Sequence, residues 1–293
     1  MASPLASSSM LTISGSTEVY AIIGDPIAHT LSPAIHNAAF KSLNMARVYV
    51  PFRVRENELG RAIEGLRSLG VLGINVTMPH KSSVLPLLDT IDATAREIGA
   101  VNTVVRKSTR FHGYNTDGEA AVTVLSRLGS MSGRKIVILG AGGAASAIAY
   151  QLAKTAEGIV ILNRTRFNRA RLAHEVTKRK GAWCQTYPLD RRNLCNEMAR
   201  GDVLINTLPV TAFPRFGKIL IQEDMIAQGT LVMDVNYEPK SDFLSKAKLR
   251  GATVVDGIEM LIEQAALSFK LWTGREAPVS VMREAAAGAR SKQ

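Results

Sequence analysis

From Glu18 onward, apolar residues fall into short runs at 19–23, 48–52 and 73–76, separated by stretches at 33–43 and 56–69 whose apolar positions recur at helical spacing. This alternation predicts βαβ units. Strands separated by helices of such length pair in parallel through right-handed crossovers, so the first hundred residues are expected to form an open α/β layer.

A second unit is expected after the polar run at 113–118. A helix over about 119–128 leads to an apolar strand at 135–139, which enters Gly140-Ala141-Gly142-Gly143-Ala144-Ala145 and then a helix at 147–154. Further strands are expected at 158–162, 203–206, 231–234 and 253–255, with helices between them, as in a doubly wound sheet. Beyond these, 260–272 and 278–287 have helical spacing and no strand of their own to cover, so they are expected to return to the first unit. The fold class is therefore α/β. A substrate-binding domain over 1–116, completed by 257–293, is joined to a Rossmann-type domain over 117–256.

The glycine run carries the first chemistry. Gly140-x-Gly142-x-x-Ala145 follows a buried strand and opens a helix, the context in which Gly140 permits a tight turn and Gly142 lets the backbone approach a pyrophosphate. At the end of the next strand an NAD enzyme usually places a carboxylate for the ribose 2′-hydroxyl. Here the chain has Asn163-Arg164-Thr165, and Arg164, with Arg169 one turn later, suits a 2′-phosphate. The expected cofactor is NADP.

Composition adds limits. The 293 residues are 46% hydrophobic and 21% charged, an ordinary globular balance, and contain no apolar run of membrane-spanning length. Cys184 and Cys195 have neither metal nor redox spacing and point to a reducing cytoplasm. The Ser-rich stretch 1–16 lacks the basic and apolar segments of a signal peptide and is expected to be disordered. A net charge of +11 suits either nucleic acid or anionic small molecules. The densest basic stretch, 164–180, is broken by Leu172, Glu175 and Val176 and has no interleaved aromatics, which favours a solvated helix face over a nucleic-acid surface. His29, His36 and His80 lie in separate segments without zinc spacing, so no metal is expected. The chain is expected to act on a small molecule, as a monomer or homodimer, without nucleic-acid or membrane partners.

Several segments carry a family resemblance: 24–37 (Gly-Asp-Pro-Ile-Ala-His-Thr-Leu-Ser-Pro-Ala-Ile-His-Asn), 75–81 (Asn-Val-Thr-Met-Pro-His-Lys), 99–103, 113–118, the Gly140 loop, 163–165 and 256–264. In this order they resemble the shikimate dehydrogenase family from Tyr20 onward. The resemblance implies reversible, NADP-dependent reduction of 3-dehydroshikimate to shikimate, with Lys81 and Asp117 as the catalytic pair. It implies substrate contacts from Thr30 and Ser32 to the carboxylate, from Asn75, Thr77 and Asn102 to ring hydroxyls, and from Tyr237 and Gln264, which close the pocket. It implies cofactor contacts from Gly140, Ala141, Gly142, Gly143, Ala144, Asn163, Arg164, Thr165, Arg169, Val235 and Gly257.

Three departures leave alternatives open. Thr30-Leu31-Ser32 replaces the usual Ser-x-Ser, so a quinate dehydrogenase or a dual enzyme stays in view. The spacing after Thr165 leaves Arg166 as a substitute for Arg169, and the run at 206–209 lacks the usual continuation. From another class, a non-catalytic sensor of a shikimate-like ligand is disfavoured by the retention of both Lys81 and Asp117.

Overall fold

The computed structural model describes residues 13–178, 183–209, 226–237 and 242–292. Most of the leader expected to be disordered, 1–12, and the basic residues Arg179 and Lys180 lie outside the described residues. The first sheet is built from β1 (Glu18–Gly24), β2 (Arg47–Arg53), β3 (Gly73–Val76), β4 (Thr90–Ile91), β5 (Thr103–Lys107) and β6 (Arg110–Tyr114), in the order β2-β1-β3-β5-β6-β4. Helices α1 (Ser32–Ser42), α2 (Leu59–Ser68) and α3 (Ala93–Ile98) connect them.

The expectation of parallel pairing holds for β1 with β2 and β3, and past the expected strands β5 runs antiparallel to both β3 and β6. The cause is a hairpin turning at Ser108 and Thr109, where Ser108 takes a left-handed φ of 56°. A chain that reverses in two residues cannot enter a parallel crossover.

The second sheet follows α4 (Asp117–Ser126) and contains β7 (Lys135–Leu139), β8 (Gly158–Leu162), β9 (Trp183–Tyr187), β10 (Val203–Asn206), β11 (Leu231–Asp234) and β12 (Thr253–Val255). Its order, β12-β11-β10-β7-β8-β9, is parallel throughout, the doubly wound arrangement. Helices α5 (Gly143–Leu152), α6 (Arg166–Thr177), α7 (Arg191–Met198) and α8 (Asp242–Leu249) lie along it. Strands β7, β8, β10 and β11 are buried almost to the last residue, as a sheet covered on both faces requires.

Two further helices, α9 (Gly257–Thr273) and α10 (Val279–Arg290), close the chain's architecture. Ile262, Ala265, Phe269, Met282 and Ala286 join Tyr20, Ile35, Phe40 and Tyr49 in one apolar cluster against the first sheet. Each large side chain buried there contributes about 1.5–3 kcal/mol. Trp272 donates Nε1–H to the Val104 carbonyl at 2.9 Å and lies flush on Gly73, where a Cβ would come within 2.5 Å of the indole nitrogen. Met260, on the first turn of α9, instead belongs to the core of the second sheet. One helix thus serves both lobes. Among the described residues no helix is long and apolar enough to cross a membrane.

Candidate active site

A cavity of about 670 Å³ opens between the two lobes. Its walls come from the loop ahead of α1, the turn after β3, the start of α4, the glycine loop after β7, the ends of β8, β10 and β11, and α9. In the second sheet this is the point where strand order reverses, between β7 and β10, and open α/β sheets offer their crevice there.

Lys81 and Asp117 meet at the centre. Lys81 Nζ donates to Asp117 Oδ2 at 2.7 Å, and the other carboxylate oxygen accepts Asn102 Nδ2–H at 2.8 Å. Asp117 is the first residue of α4, where a negative charge suits the helix dipole, and its side chain is only 6% exposed. Lys81 is held from behind by its carbonyl, which accepts Val101 N–H at 2.8 Å. An ammonium has three N–H donors, and the aspartate takes one, which leaves donors for an oxygen in the cavity.

Thr30, Ser32, Thr77, Asn102, Tyr237 and Gln264 also line the cavity. Thr30 Oγ1 accepts Ser32 N–H at 3.3 Å, and α1 begins at Ser32 with Pro33 in its first turn and no acidic residue there. Two hydroxyls beside uncapped helix N–H groups favour an anion. Asn75 stands apart from these. It lies behind the wall rather than in it, 4% exposed. Its amide is consumed internally: Oδ1 accepts Tyr49 O–H at 2.7 Å, and Nδ2 donates to the Asn102 carbonyl at 3.1 Å.

On the opposite side, Gly140 has a left-handed φ of 108°, and a Cβ there would lie 2.5 Å from Thr207 Oγ1. Gly142, the N-cap of α5, has no side-chain cap, and a Cβ on it would meet nothing within 4 Å. Open space over uncapped helix N–H groups fits a pyrophosphate. Gly140, Ala141, Gly142, Gly143, Ala144, Asn163, Val235 and Gly257 line the cavity. Arg164, Thr165 and Arg169 stand outside it, because α6 begins at the surface past the end of β8. The exposed Arg164 guanidinium has no partner among the described residues. Arg169 turns inward, donating Nη1–H to the carbonyls of Asn163 and Arg164 at 3.1 and 3.3 Å. It braces the loop that presents Arg164.

The histidines do not assemble. His80 is buried and donates Nε2–H to the Val54 carbonyl at 2.7 Å, His36 is on the buried face of α1, and His29 lines the cavity. Among the described residues no group of three or more His, Cys, Asp or Glu side chains is placed to hold a metal ion.

Three segments match family models: residues 22–104 the "Shikimate dehydrogenase substrate binding domain", 123–216 the "Shikimate / quinate 5-dehydrogenase" and 257–287 the "Shikimate 5'-dehydrogenase C-terminal domain". The NADP(+)-dependent shikimate dehydrogenase of Methanopyrus kandleri is 42% identical over 94% of this chain and 97% of its own length. The chain belongs to the shikimate dehydrogenase family. Its fold is shared with a shikimate dehydrogenase crystallised with NADP+ (TM-score 0.86, 37% identity, 94% of this chain and 97% of that one). The Listeria monocytogenes enzyme in complex with shikimate and NAD is also similar (TM-score 0.83, 34% identity, 93% and 97%).

Within this member of the shikimate dehydrogenase family, sequence reasoning missed two sets of residues. Asn168 and Arg171 reach the cavity from α6, and Asn206, Asp234 and Asn236 tie its far wall. Asp234 Oδ1 accepts the Asn206 amide at 3.0 Å and the Asn236 amide at 2.7 Å, which sets the loops after β10 and β11. Polar residues at consecutive strand ends, Asn206 and Asp234, were the available signal.

Proposed function

We propose that the protein catalyses the NADP-dependent interconversion of 3-dehydroshikimate and shikimate. The observation that carries this is the 2.7 Å Lys81–Asp117 contact, packed beside the glycine loop so closely that a Cβ on Gly143 would lie 3.2 Å from Lys81 Cβ. The first sheet with α9 and α10 (1–116 and 257–293) acts as the substrate lobe, and 117–256 as the cofactor lobe.

NADPH supplies the hydride that reduces the carbonyl carbon. As charge builds on the carbonyl oxygen, Lys81 delivers a proton to it, and in the oxidation direction takes the proton from the hydroxyl. Asp117 holds the ammonium in place and also accepts a hydrogen bond from the reacting hydroxyl. Thr30 and Ser32 grip the carboxylate, while Thr77 and Asn102 hold ring hydroxyls. Tyr237 and Gln264 close the pocket.

The backbone of Gly140 to Ala144 holds the pyrophosphate, and Asn163, Thr165, Val235 and Gly257 border the rest of the dinucleotide. Arg164 pairs with the 2′-phosphate, and Arg169 supports it through the loop carbonyls. Two separate free cysteines are in keeping with a cytoplasmic location.

The test is to mix the purified protein with shikimate or quinate, each with NADP or NAD, and follow the absorbance of the reduced nicotinamide. Shikimate with NADP is expected to react fastest. Quinate turned over faster would move the reading to a quinate dehydrogenase, which the threonine in Thr30-Leu31-Ser32 leaves room for. Ligand binding without turnover of any pair would make the protein a sensor.

Replacing Arg164 with alanine is expected to raise KM for NADP five- to thirtyfold, about 1–2 kcal/mol for an exposed charge-assisted pair, while leaving KM for NAD unchanged. Equal effects on both cofactors would remove the 2′-phosphate from Arg164's role.

A further inference from the structure

Behind the cavity wall, five side chains from separate parts of the chain make a continuous line of hydrogen bonds that ends on Asp117. Tyr49 and Ser268 are at most 1% exposed, as is Thr103, and none of the three lines the cavity. Tyr49 O–H lies 2.7 Å from Asn75 Oδ1, Asn75 Nδ2 lies 3.2 Å from Ser268 Oγ, and Ser268 Oγ lies 2.7 Å from Thr103 Oγ1. Thr103 Oγ1 is 3.0 Å from Asn102 Oδ1, and Asn102 Nδ2 is 2.8 Å from Asp117 Oδ1.

The directions at both ends of this line follow from groups that can only donate or only accept. Thr116 N–H, which can only donate, points at Asn102 Oδ1 at 2.8 Å, so Asn102 turns its NH₂ to the carboxylate. An amide oxygen only accepts, so Thr103 donates to Asn102. Having spent its one proton, Thr103 can only accept from Ser268, whose own proton it shares with the Gln264 carbonyl at 2.9 Å, and Ser268 accepts from Asn75. At the far end, Asn75 Nδ2 faces the Asn102 carbonyl, so Asn75 Oδ1 faces Tyr49, which must donate. Burial pushes ionisation of Tyr49 well above the ordinary tyrosine range, so its proton stays available.

We propose that Tyr49, Asn75, Ser268 and Thr103 are positioning residues, forming a connected line of buried hydrogen bonds that holds Asn102, and through it Asp117, in the orientation that receives Lys81. Thr103 and Thr116 both donate to Asn102 Oδ1, which fixes the Asn102 amide with its NH₂ on the carboxylate. The chain also ties the tail helix to the catalytic pair, since Ser268 lies one turn beyond Gln264 on α9. The idea rests on the shikimate dehydrogenase reading.

The test uses the full-length protein with shikimate and NADP. Thr103→Val keeps the side-chain shape and removes the donor to Asn102, so kcat is expected to fall about fivefold, the worth of one hydrogen bond, with KM for NADP within about twofold. Thr103→Ser restores the hydroxyl and is expected to recover most of the activity. Ser268→Ala breaks the same line from a different element, and the double variant Thr103→Val, Ser268→Ala is expected to be no worse than Thr103→Val alone.

Multiplying effects in the double variant would overturn the chain, and so would a Thr103→Ser variant as slow as the valine, which would mark Thr103 as a packing residue. Should Thr103→Val fail to fold, Ser268→Ala and Tyr49→Phe, each slower in kcat with KM for NADP unmoved, carry the same test. Unchanged kcat in both would refute the proposal. An inactive wild-type protein would instead remove the functional reading on which it rests.

Discussion

Replacing Lys81 with methionine is expected to lower kcat for shikimate oxidation about a thousandfold, the middle of the range for a lost general acid–base group. Methionine keeps the length of the apolar stem and removes every donor. Asp117, 6% exposed, then keeps only the Asn102 amide on its carboxylate. Thermal unfolding measured beside the kinetics separates a damaged fold from damaged chemistry. A drop of less than tenfold in a folded variant would take proton transfer away from Lys81. Asp117→Asn is expected to fail in the same direction, because an amide cannot offer the ammonium a full negative charge and can present N–H groups to it.

The second large effect concerns acid stability. His36 is fully buried, its ring stacked 4.5 Å from Tyr49, and among the described residues neither ring nitrogen has a hydrogen-bond partner. Burial lowers its pKa from 6.5 to about 3. In the unfolded chain His36 takes up a proton below pH 6.5, whereas the folded protein refuses it until about pH 3. Its contribution is therefore intact above pH 6.5 and declines as the pH falls, by about 1.4 kcal/mol per unit. His36→Phe is expected to remove that slope, so that on going from neutral pH to about pH 4 the variant loses about 3 kcal/mol less than the wild type. Urea unfolding at the two pH values checks it. Parallel losses would mean that His36 finds a proton or a partner in the folded state.

What was legible in the sequence followed from local chemistry. Strand β7 and the glycine loop stood out because a fully apolar strand entering small residues has few other uses, and Lys81, Asp117 and Asn102 came with segments of distinctive order. The β5–β6 hairpin was not legible, because its turn uses Ser108 and Thr109 where a two-residue turn ordinarily signals itself with glycine or asparagine. Strand β9 was missed because it is a half-exposed edge whose pattern, Trp-Cys-Gln-Thr-Tyr, has no clean apolar alternation.

The position of Asn75 behind the wall was not legible for a different reason. Its partner Ser268 lies 193 residues away, and no local pattern reports that such a helix will cover it. Arg169 likewise has the right charge for a phosphate, and the fold also turns it onto the carbonyls of Asn163 and Arg164. Composition shows which groups can meet an anion, and only the fold decides which already have a partner.

Because α9 and α10 complete the apolar face that Tyr20, Ile35 and Phe40 begin, the first lobe is not finished when its own sheet has been made. On the ribosome that sheet emerges first, and its missing cover is synthesised only after the whole second sheet. The usual order, in which the leading domain folds as a unit before the next appears, is therefore closed to this chain. For as long as translation of the second lobe takes, one face of the first stays uncovered, and time spent at the ribosome becomes a period of exposure to aggregation.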